Sequence, residues 1–90
     1  MPHVRVEFFG VPRERSGVAA MTVEVQTPTL GAVLLEVASQ LPDFASRCLN
    51  GDQLKPGLIA NVNGRRFTID PQTPLTDGDS VLILSADVGG

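Results

Sequence analysis

The stretch Thr29-Leu30-Gly31-Ala32-Val33-Leu34-Leu35-Glu36-Val37-Ala38-Ser39-Gln40-Leu41-Pro42 decides the fold, because it reads as a helix in a chain otherwise patterned for strands. Leu30, Val33, Leu34, Val37, Ala38 and Leu41 recur at spacings of three and four, which places them on one helical stripe. The hydroxyl of Thr29 can take an orphan N–H of the first turn, so the segment carries its own N-cap. Pro42 stops it, since the residue before a proline is pushed out of helical geometry. A helix with one apolar stripe must lay it on an apolar surface, and the flanking segments supply a sheet.

Upstream, His3-Val4-Arg5-Val6-Glu7-Phe8 alternates with period two and puts Val4, Val6 and Phe8 on one face. Gly10, Pro12 and Gly17 mark a loop, after which Met21-Thr22-Val23-Glu24-Val25 alternates again; the two runs read as an antiparallel pair. Downstream, residues 43–57 carry turn chemistry in Asn50-Gly51, Asp52 and Pro56-Gly57, and read as a long loop with a short helical turn near 44–49. Leu58-Ile59-Ala60-Asn61-Val62 is a third strand. Asn63-Gly64 suits the positive φ angles of a type I′ turn, and Arg65-Arg66-Phe67-Thr68-Ile69 returns as a fourth strand. After a loop at 70–74 and the turn Thr76-Asp77-Gly78-Asp79, Ser80-Val81-Leu82-Ile83-Leu84 makes the last strand.

The order is therefore strand, strand, helix, strand, strand, strand. One mixed sheet with the helix across one face satisfies it, and right-handed crossover sets the last strand parallel to the first. This is an α+β, ubiquitin-like β-grasp arrangement: a domain over residues 1–85, followed by a tail at 86–90 expected to be flexible.

A length of 90 residues leaves room for one core. The net charge of −3 and the scattering of seven basic residues argue against nucleic acid as a partner. No apolar run approaches the ~18–20 residues of a membrane span, and the N-terminus does not read as a secretory leader. The expected setting is cytoplasmic, with the single Cys48 fitting a reducing compartment. His3 is the only histidine, so neither a histidine-based dyad nor a multi-histidine metal site can be assembled. No phosphate-cradling glycine motif is present. Asp77 and Asp79 flank Gly78 in a turn, where carboxylates hydrogen-bond nearby backbone. The chain is poorly equipped to be an enzyme alone, and no cofactor or metal is expected on it.

The last two residues offer a different chemistry. Gly89-Gly90 carries no side chains and can thread a channel that would exclude a Cβ. It presents an α-carboxylate with an ordinary pKa near ~3.5, ionised and unreactive until a partner activates it.

The ordered set Val4-Arg5-Val6-Glu7-Phe8-Phe9, Gly17, the helix ending at Pro42, Val62-Asn63-Gly64, Thr73-Pro74-Leu75-Thr76-Asp77-Gly78-Asp79-Ser80-Val81 and terminal Gly89-Gly90 resembles the MoaD/ThiS family of ubiquitin-like sulfur carriers. That family includes the small subunit of molybdopterin synthase. The resemblance implies that an E1-like adenylyltransferase uses ATP and Mg to adenylate the Gly90 carboxylate. A sulfur donor protein then converts it to a thiocarboxylate, and the loaded tail passes sulfur to a biosynthetic enzyme, with the large subunit of molybdopterin synthase as the favoured type. Gly90 would be the modified residue and Gly89 its slender neighbour. The family's usual proline-rich step before the tail is replaced here by Leu84-Ser85-Ala86-Asp87-Val88. A ubiquitin-like modifier joined to lysine through Gly90, and a β-grasp binding module with an inert tail, remain alternatives.

Strand parity points to a partner surface. If Val81 and Ile83 face the helix, Leu82 and Leu84 face away from it, and Phe9 joins them if Val6 and Phe8 point inward. Phe9, Leu82 and Leu84 are the expected docking patch for the activating enzyme, with Val88 of the tail completing the set.

Overall fold

Alternation in the first strand sets the two faces of the sheet. In β1 (His3–Phe8), Val4, Val6 and Phe8 are buried while His3 and Arg5 are exposed. The computed structural model describes residues 1–86. After β1 come α1 (Val11–Ser16), β2 (Ala20–Glu24), α2 (Leu30–Gln40), α3 (Pro42–Cys48), β3 (Leu49–Asn50), β4 (Gln53–Leu54), β5 (Leu58–Val62), β6 (Arg66–Thr68) and β7 (Ser80–Ser85). Five strands form one mixed sheet in the order β2-β1-β7-β5-β6. β1 and β7 run parallel at its centre, with Arg5 opposite Ser80 and Phe8 opposite Ile83, as the crossover rule requires.

α2 covers one face with the expected stripe: Leu30, Val33, Leu34 and Val37 are buried. Thr29 caps it, its Oγ1 accepting the Ala32 N–H at 3.2 Å. Leu41 ends α2 and also begins α3, so Pro42 does two jobs: it cannot continue one helix, yet it stands in the first turn of the next. Phe44 of α3 reaches the core end, its ring edge-on to Phe8 at a centroid distance of 5.1 Å.

Two segments differ from the sequence reading. Residues 11–16, read as loop, form the short helix α1, bracketed by Gly10 and Gly17. Residues 43–57, read as a long loop with one helical turn, form α3 and then a small hairpin in which Leu49 pairs with Leu54 and Asn50 with Gln53. Burial explains both: Pro12, Phe44, Cys48, Leu49 and Leu54 are core residues too widely spaced to show a periodicity of their own.

Gly31 lies where α2 meets the loop before β7. Its N–H donates to the Pro71 carbonyl at 2.9 Å, and the neighbouring Leu30 N–H donates to the Thr73 carbonyl at 2.9 Å. A Cβ on Gly31 would stand 3.0 Å from Pro71 Cβ and 3.1 Å from both Pro71 O and Asp52 Oδ2. Alanine ordinarily gains up to about 1 kcal/mol over glycine in a helix, whereas overpacking costs about 1–3 kcal/mol. The crowding atoms include a proline ring and a bonded carbonyl, so overpacking should win. Gly31→Ala is expected to lower unfolding free energy by about 1 kcal/mol in urea denaturation; an unchanged or higher value would show that the loop yields.

Candidate functional site

The face of the sheet away from α2 carries three rows of side chains, fixed by strand register. One row runs Arg5, Ser80 and then Asn63 beyond the end of β5, tied by the Asn63 N–H to Ser80 O at 2.8 Å. The next runs Glu7, Leu82, Asn61 and Phe67 across β1, β7, β5 and β6. In the last, Leu84 pairs with Ile59. The Phe9 N–H donates to Ile83 O at 3.0 Å, which extends the parallel register one step and sets Phe9 beside Leu84. The face thus grades from polar to apolar along the strands.

Parity placed these residues as expected. Val81 and Ile83 are fully buried under α2, Leu82 and Leu84 are half-buried on the opposite face, and Phe9 is 52% exposed. Sequence reasoning missed Phe67, 61% exposed, which lines a hollow of about 340 Å³ with Ile59, Leu84, Ser85 and Ala86. The hairpin register explains the omission. Asn63 and Gly64 have φ angles of 57° and 70°, and the Arg65 N–H closes on Val62 O at 3.0 Å, the expected turn. Yet the ladder pairs Val62 with Arg66, one residue later than a two-residue loop would give. That extra residue sets Phe67 opposite Asn61 on the open face, where the shorter loop would have set it opposite core-facing Ala60.

The tail begins at the apolar end of this face. Ser85 pairs with Leu58, and the Ala86 N–H donates to Gly57 O at 2.8 Å. Val88, Gly89 and Gly90, expected as partner-binding and modified residues, lie outside the described residues.

Asn61 stands apart from the other buried polar residue. The Thr73 hydroxyl donates to Asp70 O at 2.7 Å and lies 2.8 Å from Thr68 Oγ1. Asn61 is only 8% exposed, and its Oδ1 is buried without a hydrogen-bond partner. An orphaned acceptor of this kind costs about 1–3 kcal/mol.

The carboxylates flanking Gly78 hydrogen-bond locally and across strands. Asp77 Oδ1 accepts the His3 backbone N–H at 2.7 Å. Asp79 accepts from Asn63 Nδ2 at 3.0 Å, the Thr76 N–H at 2.8 Å and the Thr76 hydroxyl at 3.0 Å. These bonds, led by that from Asn63, hold the Asp79 carboxyl below the usual carboxylate range. Burial pushes the Cys48 thiol up, against the nearby charges of Arg15, Lys55 and Arg47, which keeps it in its less nucleophilic form. Among the described residues no group of three or more His, Cys, Asp or Glu side chains could hold a metal ion, and no helix is long and apolar enough to cross a membrane.

The open face grades from polar to apolar, and β7 ends at its apolar side. The ThiS family profile matches residues 6–90. The chain belongs to the ThiS family of ubiquitin-like sulfur-carrier proteins. Its fold is similar to that of SAMP1 from Haloferax volcanii, at 21% identity and a TM-score of 0.81, over 98% of this chain and 99% of that one. It is also similar to a protein assigned as molybdopterin converting factor, subunit 1, from Pyrococcus furiosus, at 20% identity and a TM-score of 0.75, covering 94% and 98% of the two chains. A third similar structure belongs to the BexX/CysO complex of Amycolatopsis orientalis, at 23% identity and a TM-score of 0.71, covering 97% and 99%. No curated protein matches the sequence.

The Asp79 network ties the 63–64 turn to the turn before β7 and carries a pH dependence. Its carboxyl is depressed in the folded state, so its stabilisation is complete above the unfolded pKa of about 3.9 and is lost as pH falls through the folded value. Asparagine mimics the protonated acid. Asp79→Asn should therefore melt at a lower temperature than the parent near neutral pH, and the gap should close below about pH 4. A gap independent of pH would rule out the ionised carboxylate as its source.

Proposed function

We propose that this chain is a cytoplasmic sulfur carrier whose Gly90 carboxylate is activated by an E1-like enzyme and loaded as a thiocarboxylate. The carboxylate attacks the α-phosphorus of Mg-bound ATP in the partner's site, and pyrophosphate leaves. A persulfide on a sulfur donor protein attacks the acyl carbon of the adenylate and expels AMP. A second thiol then cleaves the resulting acyl disulfide, becoming part of a disulfide itself and leaving the thiocarboxylate on Gly90. ATP and Mg belong to the partner; the carrier supplies only a docking surface and an end of defined reach.

The observation that carries this reading is that β7 ends at the apolar row of the open face, with Ala86 held there by Gly57. Four residues follow Ala86, so Gly90 reaches at most ~14 Å beyond the anchored Ala86. An activating site must come that close to the end of β7, and Phe9, Leu84, Ile59 and Phe67 form the nearby apolar surface on which a partner can seat. Gly89 keeps the approach free of a Cβ. Similarity to the molybdopterin converting factor subunit favours a molybdopterin-type acceptor, with a synthase large subunit as partner. A specific observation supports a second reading: SAMP1, a small archaeal modifier protein, has the same fold at a TM-score of 0.81. In that case a lysine amine attacks the acyl-adenylate, AMP leaves and an isopeptide forms.

Intact mass spectrometry after incubation with the host's E1-like enzyme, ATP and a sulfur source is expected to show one oxygen replaced by sulfur at the C-terminus. Conjugates of higher mass in cells, with no such exchange, would support the modifier. A chain lacking Gly89 and Gly90 should show neither. If the intact chain also remains unmodified and unconjugated, the inert binding module is correct. Leu84→Asp should raise the KM for the carrier in ATP-dependent activation about tenfold or more, as expected for a charge forced into an apolar contact; an unchanged KM would remove the apolar row from the docking surface.

A further inference from the structure

One side of the sheet ends on a strand whose outer backbone groups have no strand to pair with. β2 stands last in the order β2-β1-β7-β5-β6, and among the described residues its neighbour is β1 alone. The Phe8 N–H donates to Ala19 O at 2.9 Å, and the Val25 N–H to Pro2 O at 3.1 Å. These two bonds bracket the ladder and set its phase: Val6 with Met21 and Val4 with Val23 are its hydrogen-bonded pairs. Ala20, Thr22 and Glu24, in the alternate positions, aim their N–H and C=O groups at the free edge.

The two free edges of the sheet are guarded differently. β6 has three residues and begins at Arg65-Arg66, the short and charged pattern that discourages strand addition. β2 has five residues, Ala20-Met21-Thr22-Val23-Glu24, with no proline, no lysine and no positive φ to interrupt it. This strand also matches itself. In an antiparallel pair of two β2 strands centred on Thr22, Thr22 faces its own copy, Ala20 faces Glu24 and Met21 faces Val23. The whole strand is used, and every outward residue meets an outward residue. The two Glu24 carboxylates lie four residues or ~14 Å apart along the ladder, beyond the ~8 Å screening length at physiological salt. Met21, partly buried against the core, gains Val23 of the second copy on the face under α2. Leu35, 52% exposed, stands on the flank of α2 that borders Glu24 and Val25, the side from which that copy arrives.

We propose that β2 is a self-association edge, pairing antiparallel with β2 of a second copy about a twofold axis at Thr22 and joining two five-stranded sheets into one. A twofold perpendicular to the sheet keeps both α2 helices on one face and both open faces on the other. Leu84 and Phe67 lie on β7 and β6, away from this edge, so the pairing leaves their apolar surface uncovered on each copy. Five residues per copy make a small interface, so the dimer forms at high micromolar concentration. With a net charge of −3 on each copy, it tightens as salt rises.

Sedimentation equilibrium of the full chain from micromolar to millimolar concentration is expected to show a monomer–dimer equilibrium. Amide hydrogen exchange reads the register: the Ala20, Thr22 and Glu24 N–H groups become protected as concentration rises, whereas those of Met21 and Val23 are protected throughout. Thr22→Lys opposes two like charges at the axis and should raise the dimer Kd about tenfold or more. Thr22→Glu should do the same, while an equimolar mixture of the two variants dimerises at least as tightly as the parent. Thermal unfolding of each variant in dilute solution, where it is monomeric, separates loss of pairing from loss of fold. A parent that stays monomeric to millimolar concentration overturns the proposal and leaves the edge to a strand of another protein. A dimer that Thr22→Lys leaves intact, or that Phe67→Asp dissolves, overturns it as well, because its interface is then elsewhere.

Discussion

Residues 5–8 pair in parallel with residues 80–83, and this union of the two ends of the chain underlies everything else in the molecule. It puts β1 and β7 at the centre of the sheet, so that β2 is added on one side and β5 with β6 on the other. It also forces the intervening chain to cross a face, which is the position α2 occupies. Parallel pairing between distant segments carries a loop-closure cost that must be met by burial. The fully buried Val4, Val6, Val81 and Ile83 on the two central strands, packed with Leu30, Val33, Leu34 and Val37 of α2, supply it. The same pairing fixes the site: because β7 is central and runs outward to Ser85, the tail leaves from the middle of the molecule and not from a frayed edge.

The strongest sequence signals are those with a period. The stripe of α2, its Thr29 cap and the alternation of β1 and β2 each rest on several residues repeating one geometric relation, and the structure has all of them. The parity argument that set Leu82 and Leu84 opposite Val81 and Ile83 needed nothing further. Short elements have no room for a period. α1 and α3 have six and seven residues, β3 and β4 have two each, and their buried members are scattered among turn formers. Pro42 was legible as a stop and equally eligible as a start; only the burial of Phe44 decides that it is both.

Phe67 shows a different kind of limit. Asn63-Gly64 correctly specified the turn, yet the face on which Phe67 appears depends on whether one residue is added after it. A register change of one reverses every side chain on the strand, so a correct turn assignment still left the apolar patch incomplete. Asn61 was placed in its strand by the sequence, but its isolation was not legible. An asparagine becomes an orphan only when every neighbour within reach has been positioned, and here those neighbours come from β6, β7 and β1.

The two chemistries proposed for the C-terminus bear on how specificity could arise. Carrier and modifier chemistry share the acyl-adenylate and diverge only in the nucleophile that meets it, a persulfide or an amine. The terminal glycines cannot distinguish these fates, since they have no side chains with which to do so. Discrimination must then reside in which partners can dock within the reach of the tail. An apolar row alone is a poor discriminator, because burial is roughly proportional to area and indifferent to direction. Directional groups next to that row are better suited to reject a wrong partner, because a partner without the matching donor leaves a buried acceptor unpaired. In this chain the polar groups next to that row are Asn61 and Glu7, one row inward from Leu84.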